Sequence, residues 1–212
     1  VLKYVKSLVM ANPKDNIPAQ TEGEKTDVIH FVDTPSREQA HHLFLLAKDR
    51  LKNIPQWHTF SGPASAEFFM TDAQGNVIYK NAEVGDLFYI DIPGPGPFAG
   101  GGFEWVRIEA MTEVDDPDAE TEYLTLTVRP IVNPRDPEKG IAHFFDHNST
   151  NTFIIERYNN RVNAAVHGRN ETPNTTGTGL FDTVRNTILA LTARNKVSVM
   201  QWKAFVTGIL DS

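Results

Sequence analysis

Cysteine is missing from the 212-residue chain. That excludes a disulfide framework, a thiolate zinc site and a cysteine nucleophile together. No apolar run approaches the ~18–20 residues needed to span a bilayer. Val1–Met10 has two lysines but no clean apolar stretch ending in small residues, so it lacks a signal-peptide pattern. These absences fit a cytoplasmic location and leave a periplasmic one compatible. A Gly-Lys-Ser/Thr phosphate loop, a His-Glu-x-x-His helix and a Gly-x-Ser-x-Gly elbow are also lacking, which removes the best-marked nucleotide, zinc-hydrolase and serine-hydrolase chemistries. Positive charge is scarce as well: the net charge of −7 argues against a dedicated nucleic-acid binder.

What charge there is lies unevenly. Residues 104–122 carry eight acids against Arg107 alone, while residues 150–210 carry seven bases against three acids. Both read as solvated faces of opposite sign, serving solubility or self-association, so a homo-oligomer is one expectation.

Residues 1–26, punctuated by Pro13, Pro18 and Gly23, read as an N-terminal arm. Residues 27–212 then read as one domain with a Pro-rich insertion at 130–140. Asp27–Asp33 alternates as a strand, with Val28, His30 and Val32 on one side. Ser36 caps a helix, with Gln39 placed to complete a capping box; Ala40, Leu43, Phe44, Ala47 and Leu51 recur at helical spacing until Pro55. Trp57 follows. Strands are expected at Ala66–Thr71 and Asn76–Lys80 around a turn at Asp72–Gly75. Further strands are expected at Val84–Ile92, Phe103–Met111 and Thr121–Arg129. In the last of these Leu124, Leu126 and Val128 face inward, and Thr125, Thr127 and Arg129 outward. Thr152–Tyr158 and Arg161–Arg169 make a hairpin across Asn159-Asn160. Phe181, Val184, Ile188 and Leu191 form a helical stripe, and Ser198 with Gln201 opens a second helix carrying Trp202, Phe205, Val206 and Ile209.

This order implies an α+β fold in which a curved antiparallel sheet grips a C-terminal helix. The residues His30-Phe31-Val32-Asp33-Thr34-Pro35, the helix running to Ile54-Pro55-Gln56-Trp57, Val84-Gly85-Asp86, and the Tyr158–Arg169 hairpin leading to Phe181–Leu191 resemble the START/Bet v1-like (SRPBCC) helix-grip superfamily. The resemblance implies an apolar pocket between sheet and helix that binds lipids, polyketides, steroids or similar molecules, and some members are enzymes. Fold alone does not choose among these roles.

Candidate pocket residues are Trp57, Phe68, Phe88, Trp105, Leu124, Leu126 and Phe153. The loop Pro93–Gly102 is a candidate lid, with Phe98 closing on a ligand. Ala164, between Val162 and Val166, would leave room for a ligand under the closing helix. His167 could act as acid or base and Arg169 could hold a ligand carboxylate if their face lines the cavity. His143 and His147 have four-residue spacing but no helix to make them converge, so no metal site and no cofactor are expected. His41-His42 reads as a solvated pair.

Three functions follow. The first is binding or carriage of a small hydrophobic or amphipathic ligand. The second is a cyclase-, hydratase- or hydrolase-type enzyme using the same pocket, through His167 or a carboxylate such as Asp91. The third is a protein-interaction module built on the charged faces.

Overall fold

The computed structural model describes residues 12–62, 65–93, 98–174 and 199–211. Seven antiparallel strands form one open sheet in the order β1-β7-β6-β5-β4-β3-β2. They are β1 (Glu24–Asp33), β2 (Glu67–Thr71), β3 (Leu87–Asp91), β4 (Glu104–Val114), β5 (Thr121–Pro130), β6 (Thr150–Tyr158) and β7 (Arg161–Glu171). Between β1 and β2 come α1 (Arg37–Lys52) and a short α2 (Trp57–Phe60). A C-terminal helix, α3, covers residues 199–211. This is the α+β, helix-on-curved-sheet class that the sequence implies. Irregular register between Glu24 and Thr26 and between Ile108 and Ala110 helps bend the strands, because an extra residue on one side of a ladder kinks it.

Helix α1 starts where the capping pattern puts it: Ser36 Oγ accepts the Gln39 amide at 3.2 Å. Its stripe of Ala40, Phe44, Ala47 and Leu51 is fully buried over β5, β6 and β7. The tight turn at Asn159-Asn160 is also as read, with Asn159 at φ +53°. Helix α3 lays Phe205, Val206, Ile209 and Leu210 into the same core. Phe205 packs on Trp57 at 5.0 Å between ring centres, and Trp202 meets Phe153 edge-on at 5.2 Å. The stripe expected at Phe181–Leu191 and the Ser198 cap lie outside the described residues. No helix among the described residues is long and apolar enough to cross a membrane.

Several local expectations are corrected. Asn76–Lys80 does not form a strand; it contributes one bridge, Thr71 to Val77, after the expected turn at Gly75. Thr125 and Thr127 do not face water. A 3-10 turn at Pro13–Asn16 lies against β5 and β6, Asn16 accepts a hydrogen bond from Thr112, and Pro13 is buried. The threonines stay satisfied there: Thr127 and Thr152 bond to each other at 2.9 Å. The acidic and basic runs are not wholly solvated faces either. Glu122 and Arg157 are completely buried beneath α1, where the Arg157 Nε–H donates to Glu122 and Nη2 donates to the Ala119 carbonyl at 2.7 Å. His41, read as solvated, is half-buried and holds the same carboxylate at 2.8 Å.

Candidate functional site: a cavity with a buried glutamate

The inner face of the sheet is apolar by alternation, and its two halves are covered differently. Over β5–β7 the helix α1 covers the sheet, so Leu124, Leu126 and Ala164 are packed core and are not in the wall of the cavity over β2–β4. Over β2–β4 the cover is α2, α3 and the segment between β5 and β6. These leave a cavity of about 160 Å³. The sequence candidates Trp57, Phe68, Phe88 and Phe153 are in its wall, with Ile90, Val106, Val128 and Trp202.

The other candidates lie elsewhere. Tyr89 pairs with Trp105 while Phe88 pairs with Val106, so Trp105 points to the outer face. There it packs against Tyr89 with the rings tilted, 5.2 Å between centres, beneath the Arg135 guanidinium. His167 and Arg169 are on the outer face too, because alternation along β7 opposes them to Ala164 and Val166. Both grip Asp27 of β1, at 2.6 and 2.7 Å. Burial alone would push the Asp27 carboxyl up, but these two donors outweigh it and hold it below its ordinary value. That arrangement is a strand-to-strand clamp, turned away from the cavity. Asp91 is exposed. Ile92 and Pro93, at the start of the Gly/Pro loop, border the cavity, whereas residues 94–97 and the Phe98 side chain lie outside the described residues.

Two titratable groups do converge inside. Glu104 is the first inward-facing residue of β4, ahead of Val106 and Ile108, and it is 4% exposed. His143 is 7% exposed and lies 2.9 Å away, its Nε2 against Glu104 Oε2. The backbone sets this meeting. Ala142 accepts the Trp105 amide at 2.7 Å and donates to the Ile131 carbonyl at 2.9 Å, so the next residue is delivered beside β4. His143 Nδ1 accepts the Phe145 amide at 3.0 Å. An N–H pointing at Nδ1 requires a lone pair there, which leaves Nε2–H as the donor to Glu104.

The second carboxylate oxygen, Glu104 Oε1, is buried with no partner among the described residues, and so is Gln201 Nε2 of α3. Both residues line the cavity. Buried polar atoms are nearly always paired, so two orphans on residues of one cavity wall stand out. Neither residue stood among the sequence candidates. Glu104 counted as one acid of a solvated run; the available signal was an acid on the inward register of an otherwise apolar strand. The sequence pairs His143 only with His147, which is exposed and takes no part.

A second cluster of possible metal ligands, His41, Asp115 and Glu122, is already neutralised. Glu122 is held by Arg157 and Asp115 by Lys48. It is an ion-pair network pinning α1 to the sheet.

No protein-family model and no curated protein matches the sequence. Solved structures are similar to it in outline. Ms6760 from Mycobacterium smegmatis is 14% identical with a TM-score of 0.36, covering 85% of this chain and 88% of that one. Norcoclaurine synthase from Thalictrum flavum is 10% identical with a TM-score of 0.34, covering 92% and 99%. The major latex-like protein 151 of Panax ginseng is 13% identical with a TM-score of 0.30, covering 83% and 98%. Function is therefore read from the cavity itself.

Proposed function

We propose that this protein binds a small molecule with an apolar body and one polar end in the cavity between β2–β4 and α3. The observation that supports this is the pair of unsatisfied polar atoms, Glu104 Oε1 and Gln201 Nε2, in a hollow otherwise walled by aromatic and aliphatic side chains. Size narrows the class. A dry apolar cavity of ~150 Å³ takes up benzene, whereas drug-sized ligands occupy roughly 300–1,000 Å³. At about 160 Å³ the space suits a single ring or a short chain. A lipid, steroid or polyketide would need side chains to move.

Trp57 and Trp202 in the wall make the test direct. Titration with toluene should change tryptophan emission and raise the thermal midpoint, since a ligand that binds only the folded state stabilises it. Ala66, buried at the cavity wall, offers the control: Ala66→Met fills the space and should abolish both responses in a protein that still unfolds cooperatively. Equal responses from both proteins, or none from the wild type across single-ring compounds, would dismiss the reading.

The Glu104–His143 pair favours one alternative, an enzyme in which Glu104 moves a proton. Against a histidine relay stands the Phe145 amide, which already occupies Nδ1. Mass spectrometry of a ligand recovered after prolonged incubation separates binding from turnover.

A further inference from the structure

Resting on the binding reading above, the geometry points to the occupant's polar end: we infer that Glu104 Oε1 is the seat of a protonated amine, so that the cavity selects compact apolar monocations. Three observations converge. The carboxylate receives one hydrogen bond, from His143, whose Nδ1 is engaged as an acceptor. An imidazole in that tautomer is a neutral donor, so it fixes the carboxylate in place without supplying a counter-charge. No Lys or Arg is paired with Glu104 among the described residues.

A buried carboxylate with a free oxygen is costly unless a cation or donor meets it. The wall supplies a second preference. Trp57, Phe88, Phe153 and Trp202 all contribute to the wall, and an aromatic ring attracts a cation brought over its face. An ammonium against Glu104 with its carbon body among these rings satisfies both demands. Gln201 Nε2 is a donor and cannot serve the ammonium; it answers to a different ligand atom or to a trapped water. His143 is a positioning residue here, holding Oε2 and leaving Oε1 for the ligand.

The test compares three probes of nearly equal size, benzylamine, benzyl alcohol and toluene, by calorimetric titration of the wild-type chain and of Glu104→Gln. The expected result is benzylamine binding at least ~10-fold more tightly than toluene, as hydrogen bonds to charged groups warrant. Glu104→Gln should erase that preference and leave toluene affinity within about twofold. A melting curve checks that the variant is folded; should it fail to fold, the wild-type ranking alone decides. Toluene or benzyl alcohol binding as well as or better than benzylamine would overturn the cation assignment while leaving the cavity's binding role standing. No binding of any probe would overturn both.

Discussion

Replacing Gly208 by alanine should destabilise the protein, although alanine is the better helix former. Gly208 lies on α3 against the end of α2. A β-carbon there would overlap the Phe60 carbonyl oxygen, 3.0 Å from the Phe60 carbonyl carbon and 3.1 Å from its α-carbon. All three are backbone atoms, so no rotamer change relieves the contact; α3 must lift. Lifting it loosens Phe205 and Ile209 in the core and strains the Arg50 bond to the Ile209 carbonyl, which is 2.8 Å long. Overpacking of this kind costs ~1–3 kcal/mol. Helix propensity pulls the other way by about 1 kcal/mol. The net expectation is a loss of up to about 2 kcal/mol, read as a lowered urea midpoint with an unchanged slope. Thr207→Ala, at the exposed neighbouring position, gains helix propensity without the clash and should be neutral or slightly stabilising. If Gly208→Ala matched or exceeded the wild type in stability, the docking of α3 on α2 would be refuted.

Truncating Glu122 to alanine leaves the Arg157 guanidinium buried without its anion, and should cost ~3–5 kcal/mol. His41→Ala removes a half-buried partner of the same carboxylate and should cost ~1 kcal/mol or less; similar urea midpoints for the two variants would contradict the ranking. Two acids at the β1–β7 seam should show opposite pH behaviour. Asp27 is held below its ordinary value, so its contribution is present above that value and lost as pH falls through the folded one. Asp27→Asn should therefore lag the wild type at neutral pH, by ~1 kcal/mol or less given its exposure, and converge with it in acid. Glu171 is pushed up by burial, against the Thr26 hydroxyl bond, so the protonated form favours the fold and stability declines as pH rises through the shifted value. Glu171→Gln should gain on the wild type over that rise. Parallel pH profiles for both variants would refute the assignment.

Much of the fold is legible because periodicity reports on one buried face at a time. The α1 stripe, its Ser36 cap and the inward set Leu124, Leu126 and Val128 need only local spacing and are found where expected. Thr125 and Thr127 were misjudged because what covers the outer face, Pro13–Asn16, is more than a hundred residues distant in sequence and has no periodic signature. Of the cavity wall, Phe68, Phe88 and Phe153 are suggested by aromatics on inward registers and Trp57 by its place after α1. Trp105 fails on parity: one step along β4 separates the two faces. Glu104 and His143 were missed for a related reason. Composition counts an acid as surface, and only the pairing of Ala142 with Trp105 and Ile131 brings His143 to it.

The seam between β1 and β7 also bears on how the chain is born. Among the described strands, the one made first hydrogen-bonds, in the sheet, to the one made last: Val28 pairs with Val166. At ribosomal speeds of about 5–20 residues per second, the early segment waits on the order of ten seconds for its mate. During that interval Ile29 and Phe31, which stay exposed even in the finished sheet, belong to an unzipped edge open to improper partners. Closing the seam last makes completion of the whole sheet a late and slow event.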